Sequence, residues 1–329
     1  MKALVYTAEK EIQFRDEPAP EPGPGEVVVA IDAVGICGSD MHAYLGHDPR
    51  RKPPLILGHE AVGRVVEGPV AGPAVVINPL ITCGHCDECR GGRANLCEQR
   101  DIIGMYRPGA LAERVAVPPE NLIEIPEDMD PVLAALTEPA ATALHAVNLA
   151  AKAAYRTVGE SRALVIGGGS VGLFAALALR DMGASEIHLA ETNPLRRRTV
   201  ESTGVCQVFE PVSQPAQESY FELVVDAVGG KYSREAAIAA VRPGGVVMHI
   251  GLLDNDGGID VRRLTLQEIS LIGTYTYTAA DLRATVKKLH SGAFGDLDWV
   301  ERRSLSDGAG AFDDLLHGRT AAPKIVLCP

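Results

Sequence analysis

Four cysteines in one short run constrain the fold of this chain more than any other feature of its sequence. The run reads Cys-Gly-His-Cys-Asp-Glu-Cys-Arg-Gly-Gly-Arg-Ala-Asn-Leu-Cys, and its thiols are Cys83, Cys86, Cys89 and Cys97. Two gaps of two residues and one of seven allow the four sulfurs to surround a single ion, and zinc prefers four tetrahedral ligands. Because a shell of four thiolates leaves no position for a substrate, the run predicts a structural zinc site.

Two other interpretations of this run are weaker. Disulfides between cysteines so close together would crowd the sulfurs, and a reducing cytoplasm, where we expect this chain, disfavours them. A zinc ribbon that binds nucleic acid needs basic surface, whereas this chain has a formal net charge of -12. The run therefore predicts a metal-binding lobe and no nucleic-acid partner.

A second set of potential metal ligands lies outside the cysteine run. Cys37 and His59 combine a thiolate with an imidazole, a mixture that a catalytic zinc accepts while one coordination position stays open. The third ligand would be a carboxylate: Glu60, which follows His59, or Glu138, at the expected start of a helix. Each of these residues also has a structural interpretation when it is taken alone. Cys37 could be a small core residue, His59 a buried imidazole, and Glu138 a carboxylate that stabilises a first helical turn.

The order of these motifs resembles the zinc-dependent medium-chain alcohol dehydrogenases, in particular their sorbitol, galactitol-phosphate and threonine dehydrogenase branch. The matching segments cover nearly the whole chain: Cys37-Gly-Ser-Asp-x-His42, Gly58-His-Glu60, the four-cysteine run, Glu138-Pro139, a glycine-rich turn and Lys324-Ile-Val-Leu327. The resemblance implies two zinc ions per chain, the catalytic one bound by Cys37, His59 and Glu138. It places Glu60 close by, where it can replace a ligand or water.

The glycine-rich turn predicts a dinucleotide site. An apolar run at 163–166 precedes Gly167-Gly-Gly-Ser-Val-Gly172 and a helical pattern, which matches the strand, turn and helix of the G-x-G-x-x-G fingerprint. Gly167 would allow the tight turn, Gly169 would let pyrophosphate approach the backbone, and Gly172 would permit close packing of helix on strand.

Glu191 predicts a preference for NAD over NADP. It lies nineteen residues beyond Gly172, where an acid accepts hydrogen bonds from the ribose hydroxyls and repels a 2′-phosphate. The alternative is that Glu191 only caps the turn at Asn193. Residues 196–198 are arginines on an expected helix whose faces point in different directions, so only one, taken as Arg196, could reach the cofactor.

The pattern of expected elements changes near Thr137. Before it, short alternating strands are separated by Pro and Gly clusters, as in all-β domains; after it, strands alternate with helices, as in a doubly wound parallel sheet. The α/β strands would be residues 164–166, 187–190, 223–226, 246–250 and 270–272. The resemblance implies a GroES-like catalytic domain of residues 1–137 and 275–329, with a Rossmann NAD-binding domain of residues 138–274 inserted in it.

Composition agrees with two ordinary domains and excludes a membrane span. The chain has 329 residues, of which 46% are hydrophobic, and no apolar run approaches the about 20 residues of a membrane helix. Five of the seven cysteines have proposed zinc roles, which leaves Cys206 and Cys328 as free thiols. We therefore expect a cytoplasmic protein without a membrane partner.

The resemblance implies hydride transfer from an alcohol to NAD, with zinc stabilising the developing negative charge on oxygen. Ser39 and His42 resemble the family relay that carries the proton to solvent; their alternatives are a helix cap and a surface residue. Zinc-free quinone reductases of the same superfamily lack both sets of zinc ligands, whereas this chain has both. A catalytically degenerate, nucleotide-binding relative would not need Cys37, His59 and Glu138 together.

The expected substrate is a polar secondary alcohol such as a polyol, sugar or hydroxy amino acid; a simple alcohol is the alternative. Glu138 replaces the cysteine of simple-alcohol relatives, and Tyr44 and Tyr277 resemble pocket tyrosines, although both could merely pack. Thr276 stands where the sorbitol branch carries an arginine, which argues against sorbitol and phosphorylated sugars. The family pairs through edge strands, so residues 269–274 are expected to form the interface of a homodimer or homotetramer.

Overall fold

The strands in the described part of the chain form three antiparallel or mixed sheets and one parallel sheet. The computed structural model describes residues 1–68 and 72–329. The strands in these ranges are β1 (Lys2–Ala8), β2 (Glu11–Asp16), β3 (Val27–Gly35), β4 (Leu55–Ile56), β5 (Glu60–Glu67), β6 (Ala74–Ile77), β7 (Leu80–Ile81), β8 (Asp101–Ile102), β9 (Arg114–Val117), β10 (Leu122–Glu124), β11 (Arg162–Ile166), β12 (Glu186–Ala190), β13 (Gln207–Phe209), β14 (Phe221–Asp226), β15 (Val241–His249), β16 (Ser270–Gly273), β17 (Val300–Ser304) and β18 (Lys324–Cys328).

The helices are concentrated in the second half of the chain. They are α1 (Gly38–Tyr44), α2 (Asp87–Arg90), α3 (Pro131–Ala135), α4 (Thr137–Ala153), α5 (Ser170–Asp181), α6 (Pro194–Ser202), α7 (Lys231–Ala240), α8 (Val261–Leu266), α9 (Ala279–His290) and α10 (Gly308–Leu316). None of the helices in the described ranges is long and apolar enough to cross a membrane.

Short strands from the N-terminal region pair with the two last strands of the chain. The largest sheet has the order β10-β6-β5-β3-β18-β17, and β9 also pairs with β3. Across the β3–β18 ladder, Val34 faces Leu327 and Gly35 faces Val326. The β-rich first domain is confirmed, and this pairing brings Lys324 beside the segment that follows β3.

Six parallel strands form the nucleotide-binding type of sheet. Their order is β13-β12-β11-β14-β15-β16, the order 3-2-1-4-5-6 of a doubly wound fold. Side chains of β11 alternate between the two faces: Ala163 and Val165 pack with α4 and α5, whereas Leu164 and Ile166 pack with α7. All five strands expected from sequence are present, and the doubly wound sheet is confirmed.

An aromatic group stabilises the packing of α5 against the C-terminal part of the chain. Phe174 is fully buried, and its ring centroid lies 5.6 Å from that of Phe294 and 5.2 Å from that of Trp299, both in edge-on geometry. Such aromatic pairs contribute beyond the apolar area that they bury. Phe174 therefore ties α5 to the segment that leads into β17.

We expect Phe174→Ala to lower the free energy of unfolding by about 3–5 kcal/mol, because it leaves a cavity lined by two other rings. Tyr155→Ala is the control, since Tyr155 is 96% exposed and its loss should change stability by less than about 0.5 kcal/mol. Urea unfolding followed by circular dichroism measures both. Equal losses in the two variants would contradict this account of the core.

Candidate active site

Sheet register brings the second set of sequence-predicted ligands together. Cys37 follows β3 and caps the start of α1, while Glu60 begins β5 and faces Gly35 across the ladder. The ligand atoms of Cys37, His59 and Glu60 all lie within 4.8 Å of one another. A Cβ at Gly35 would lie 2.0 Å from a carboxylate oxygen of Glu60, so glycine is required where that side chain crosses β3.

Asp40 orients the imidazole of His59. Its Oδ1 lies 3.4 Å from His59 Nδ1, and its Oδ2 accepts a hydrogen bond from the Cys37 amide at 3.0 Å. Burial alone would raise the pKa of Asp40, but His59, Arg51 and the Cys37 amide lower it to about 2. A carboxylate on one ring nitrogen is the arrangement that positions metal-binding histidines, and sequence reasoning had not assigned this role to Asp40.

Lys324 neutralises Glu60 inside the protein. Its Nζ lies 2.7 Å from both carboxylate oxygens of Glu60 and donates to the carbonyl of Ile36 at 2.8 Å. Glu60 is fully buried and Lys324 is 2% exposed. The Glu60 carboxylate is therefore engaged by a cation, a contact between residues 264 positions apart that the sequence motifs did not indicate.

Glu138 and Tyr277 form a second buried pair beside this cluster. Glu138 lies in the first turn of α4, where burial and then the charge of Glu60 act to raise its pKa to about 7 against the opposing effect of His59. Burial and Glu138 raise the pKa of Tyr277 well above its usual range. The Tyr277 hydroxyl has no hydrogen-bond partner among the described residues. Glu138 is not among the three residues whose ligand atoms converge within 4.8 Å.

A buried arginine holds Ser39 next to His59. Ser39 Oγ lies 3.5 Å from His59 Nε2 and accepts a hydrogen bond from Arg51 Nη2 at 3.2 Å. Arg51 also donates to the carbonyls of Ser39 and Gly104 and to Asp48, at 3.0, 3.0 and 2.9 Å. Because a guanidinium only donates, the Ser39 hydroxyl proton points elsewhere, toward His59 or the open site.

His42 and Tyr44 lie further along α1 and differ in their surroundings. His42 is half-buried, and its pKa is lowered chiefly by burial and then by His47. Tyr44 is buried in the core of the first domain, where its ring packs 5.3 Å from that of Phe312 on α10. The expectation that Tyr44 lines the substrate pocket is not supported by this position, because helical rotation turns it toward α10.

The four-cysteine run forms a compact lobe in which all four ligand atoms lie within 4.8 Å of one another. Backbone amides point at the sulfurs: Cys83 Sγ accepts from the Cys86 amide at 3.4 Å, and Cys97 Sγ accepts from the Cys83 amide at 3.5 Å. Hydrogen bonds from the His85 and Cys86 amides lower the pKa of Cys83 to about 6. Such donors favour the thiolate form that a metal binds.

The glycine turn has the shape that close approach of a ligand requires. Gly167 has a φ of +101°, and a Cβ on Gly172 would lie 1.8 Å from the Gly167 carbonyl oxygen. A Cβ on Gly169 would meet nothing within 4 Å, so open space lies in front of the first turn of α5. Free amides at a helix N-terminus favour a phosphate group in such a space.

Glu191 is fixed on this turn. Its two oxygens accept hydrogen bonds from the Gly168 amide at 2.8 Å and the Asn193 amide at 2.7 Å, and the residue is 5% exposed. Arg196 Nη1 lies 3.5 Å from the same carboxylate, whereas Arg197 donates to backbone carbonyls of residues 191 and 192. The structure thus brings together the glycine turn, Glu191 and Arg196.

Two family models match the chain: the alcohol dehydrogenase GroES-like domain over residues 23–127 and the zinc-binding dehydrogenase domain over residues 170–291. L-galactonate-5-dehydrogenase of Escherichia coli strain K12 is 31% identical and aligns over 99% of this chain and 98% of its own length. The chain belongs to the zinc-binding alcohol dehydrogenase family. It is therefore an oxidoreductase.

Two solved structures share the fold over the whole length of this chain. Acetophenone reductase from Geotrichum candidum, in complex with NAD, has a TM-score of 0.89 and 28% identity over 100% of this chain and 97% of its own. A zinc-binding dehydrogenase from Sinorhizobium meliloti, bound to NADP, has a TM-score of 0.87 and 29% identity, with coverages of 100% and 99%.

We expect Lys324→Met to destabilise this alcohol dehydrogenase by about 3–5 kcal/mol, because it leaves the Glu60 carboxylate buried without a partner. The double variant Lys324→Met/Glu60→Gln should recover much of that loss, since no buried charge remains unpaired. Lys2→Met is the matched control: its partner Asp16 has an 80% exposed side chain, so the loss should stay below about 1 kcal/mol. Urea unfolding measures these three and the single variant Glu60→Gln; a loss in the double variant equal to the sum of the two single losses would refute the coupling.

Proposed function

We propose that this chain oxidises a secondary hydroxyl of a polar alcohol, such as a polyol, sugar or hydroxy amino acid, with zinc and NAD. The observation that carries the proposal is the convergence of Cys37, His59 and Glu60, with Asp40 orienting the imidazole and Glu138 in the adjoining pair. Relatives named L-galactonate-5-dehydrogenase and L-threonine 3-dehydrogenase support a polar, hydroxylated substrate.

The residues present fit a catalytic zinc. Cys37 and His59 supply a thiolate and an imidazole, and the Asp40 carboxylate on Nδ1 leaves Nε2 for a metal. Glu138 would complete the protein ligands, because Glu60 is engaged by Lys324. Bound there, zinc would supply Lewis acidity, which lowers the pKa of a substrate hydroxyl.

Ser39 and His42 carry the proton away from the reacting hydroxyl. The Ser39 hydroxyl lies beside His59 and is held by Arg51, so its lone pair can accept a proton while its own proton passes on. His42 lies one turn later on α1, and its lowered pKa keeps it neutral at neutral pH, ready to accept. NAD bound at the glycine turn would supply the nicotinamide, which accepts a hydride from the carbon that bears this hydroxyl.

NAD is the preferred acceptor in this proposal. A carboxylate held on the glycine turn by two backbone amides accepts hydrogen bonds from ribose hydroxyls and repels a 2′-phosphate. Arg196 lies 3.5 Å from Glu191, and Arg197 donates to backbone carbonyls, so each already has a partner in the protein. The zinc-binding dehydrogenase from Sinorhizobium meliloti is bound to NADP, so activity with NAD and with NADP has to be compared.

The cysteine lobe would hold the second zinc without taking part in the reaction, since four thiolates complete a tetrahedral shell.

We also propose a homodimer or homotetramer. Strand β16 is at the edge of the parallel sheet, and exposed apolar side chains cluster in the preceding segment: Leu252, Leu253, Val261 and Leu266. Unpaired sheet edges and apolar patches favour association.

The first test is metal content together with activity. We expect about two zinc ions per chain by plasma mass spectrometry, and NAD reduction in a screen of polyols, aldoses, threonine and simple alcohols. Cys37→Ser should lose one zinc and at least about 100-fold in kcat/KM, whereas Cys89→Ser should lose the other zinc and mainly stability. One zinc ion per chain and no activity would indicate a catalytically degenerate relative. No bound zinc would indicate a zinc-free quinone reductase of the same superfamily.

The second test concerns the cofactor. Glu191→Ala should lower kcat/KM for NAD about tenfold, because a charged hydrogen-bond acceptor for the ribose is lost, and should leave or improve the value for NADP. Initial rates with both cofactors give the ratio. Arg198→Ala, at an exposed position of α6, is the control and should leave the NAD to NADP ratio unchanged. A wild-type protein that uses NADP more efficiently than NAD would overturn the assignment.

A further inference from the structure

The end of α1 brings two histidines together. Gly46 has a φ of +73°, and its amide donates to the Ala43 carbonyl at 2.9 Å. The His47 amide donates to the His42 carbonyl, also at 2.9 Å. These two hydrogen bonds form a Schellman motif, in which the chain folds back over the last turn of the helix and the two outermost side chains meet. An apolar contact usually occupies those two positions, but in this chain both side chains are imidazoles.

The two rings are neighbours that differ in exposure. Their centroids are 6.4 Å apart, and their planes are tilted by 44°. His42 is half-buried, whereas His47 is exposed. A single bridging water spans about 5.5 Å between two hydrogen-bonding atoms. One water can therefore join a ring nitrogen of His42 to a ring nitrogen of His47.

His47 lines a polar cleft of about 580 Å³. Charged side chains from two other parts of the fold line it as well: Glu9 and Lys10 from the turn between β1 and β2, and Asp313 and His317 from α10 and the residue that follows it. Ionisable groups of this kind keep a cleft hydrated. A proton on the His47 ring is therefore in contact with solvent.

The loop that follows α1 fixes both ends of a path from the site to this cleft. At the inner end, Arg51 Nη2 donates to Ser39 Oγ at 3.2 Å. Arg51 Nη1 donates to Asp48 at 2.9 Å, and Asp48 is the residue next to His47. The same loop thus holds the Ser39 hydroxyl in the site and the His47 ring at the surface.

The surroundings of the two rings favour transfer of a proton outward. His42 is in the last turn of α1, where the carbonyl end of a helix favours a positive charge. Burial and then His47 lower the pKa of His42, and the further effects of Asp48 and Arg51 oppose each other. Because a charge on one imidazole disfavours a charge on the other, a proton that arrives on His42 moves to the exposed ring, where water hydrates it.

We propose that His47 is the last residue of the proton path, which takes the proton from His42 and gives it to water in the cleft. In this step His42 returns to its neutral form, His47 gains one proton and then loses it to water, and no electrons move. The inference rests on the proposed function and adds to it a residue beyond Ser39 and His42.

The pairing of the two histidines can be tested without a substrate. In zinc-replete protein with labelled histidine rings, NMR follows the titration of each of the nine histidines. His47→Gln should raise the titration midpoint of His42, because a neighbour that carries positive charge is lost. His317→Gln removes a histidine of the same cleft that is paired with Asp313, and as the control it should leave the His42 midpoint unchanged. An unchanged midpoint in His47→Gln would overturn the inference.

Proton release measures the transfer itself. The complex with NAD is mixed in a stopped-flow instrument with the best alcohol of the screen, in weakly buffered solution near neutral pH. An indicator dye reports the proton, and absorbance reports the NADH. We expect His47→Gln to release its proton about tenfold more slowly than the wild type, since a positioned acceptor is lost, and His317→Gln to release it at the wild-type rate.

Two outcomes separate this inference from the proposed function. If NAD is reduced and His47→Gln releases its proton as fast as the wild type, the inference alone is wrong. If no alcohol of the screen reduces NAD, the proposed function fails and the inference falls with it.

Discussion

The buried contact between Lys324 and Glu60 joins the last strand of the chain to β5. Lys324 begins the last strand and Glu60 begins β5, and Lys324 also donates to the carbonyl of Ile36, one residue before Cys37. Two charges removed from water require each other, so this contact is compatible with the strand order β5-β3-β18, in which the ladders of β3 place the two residues side by side. The convergence of Cys37 and His59 depends on that order, and so does the place of Asp40.

Local sequence patterns were enough to predict most helices and strands, but they did not predict the contacts between distant segments. The strand expected at residues 187–190 was found within one residue of those bounds, as Glu186–Ala190, because its pattern and turns are local. The strand expected at 246–250 begins at Val241, since Val241 pairs with Phe221 across an irregular ladder that no local signal encodes. The glycine turn could be predicted from the sequence because its geometry is set by residues that are adjacent in the chain.

The candidate site shows the same division. The sequence named Cys37, His59 and Glu60, because their residue types and spacing indicate a metal. It did not assign roles to Asp40 or Arg51, whose functions lie in what they contact: His59 for the first, Ser39 for the second. Tyr44 illustrates the opposite case, because a side chain two residues from His42 on a helix points to another face, which only packing against α10 reveals.

The cysteine lobe has a consequence beyond its own stability. The parallel sheet joins the rest of the chain at two places, through α4 and through residues 274–278. Two covalent crossings define an axis about which the domains can rotate. Asn95 in the lobe donates to the Tyr275 carbonyl at 2.8 Å, at the second crossing. A metal bound in the lobe would therefore hold the second crossing in place, and loss of that metal would free residues 274–278 and with them the rotation about this axis.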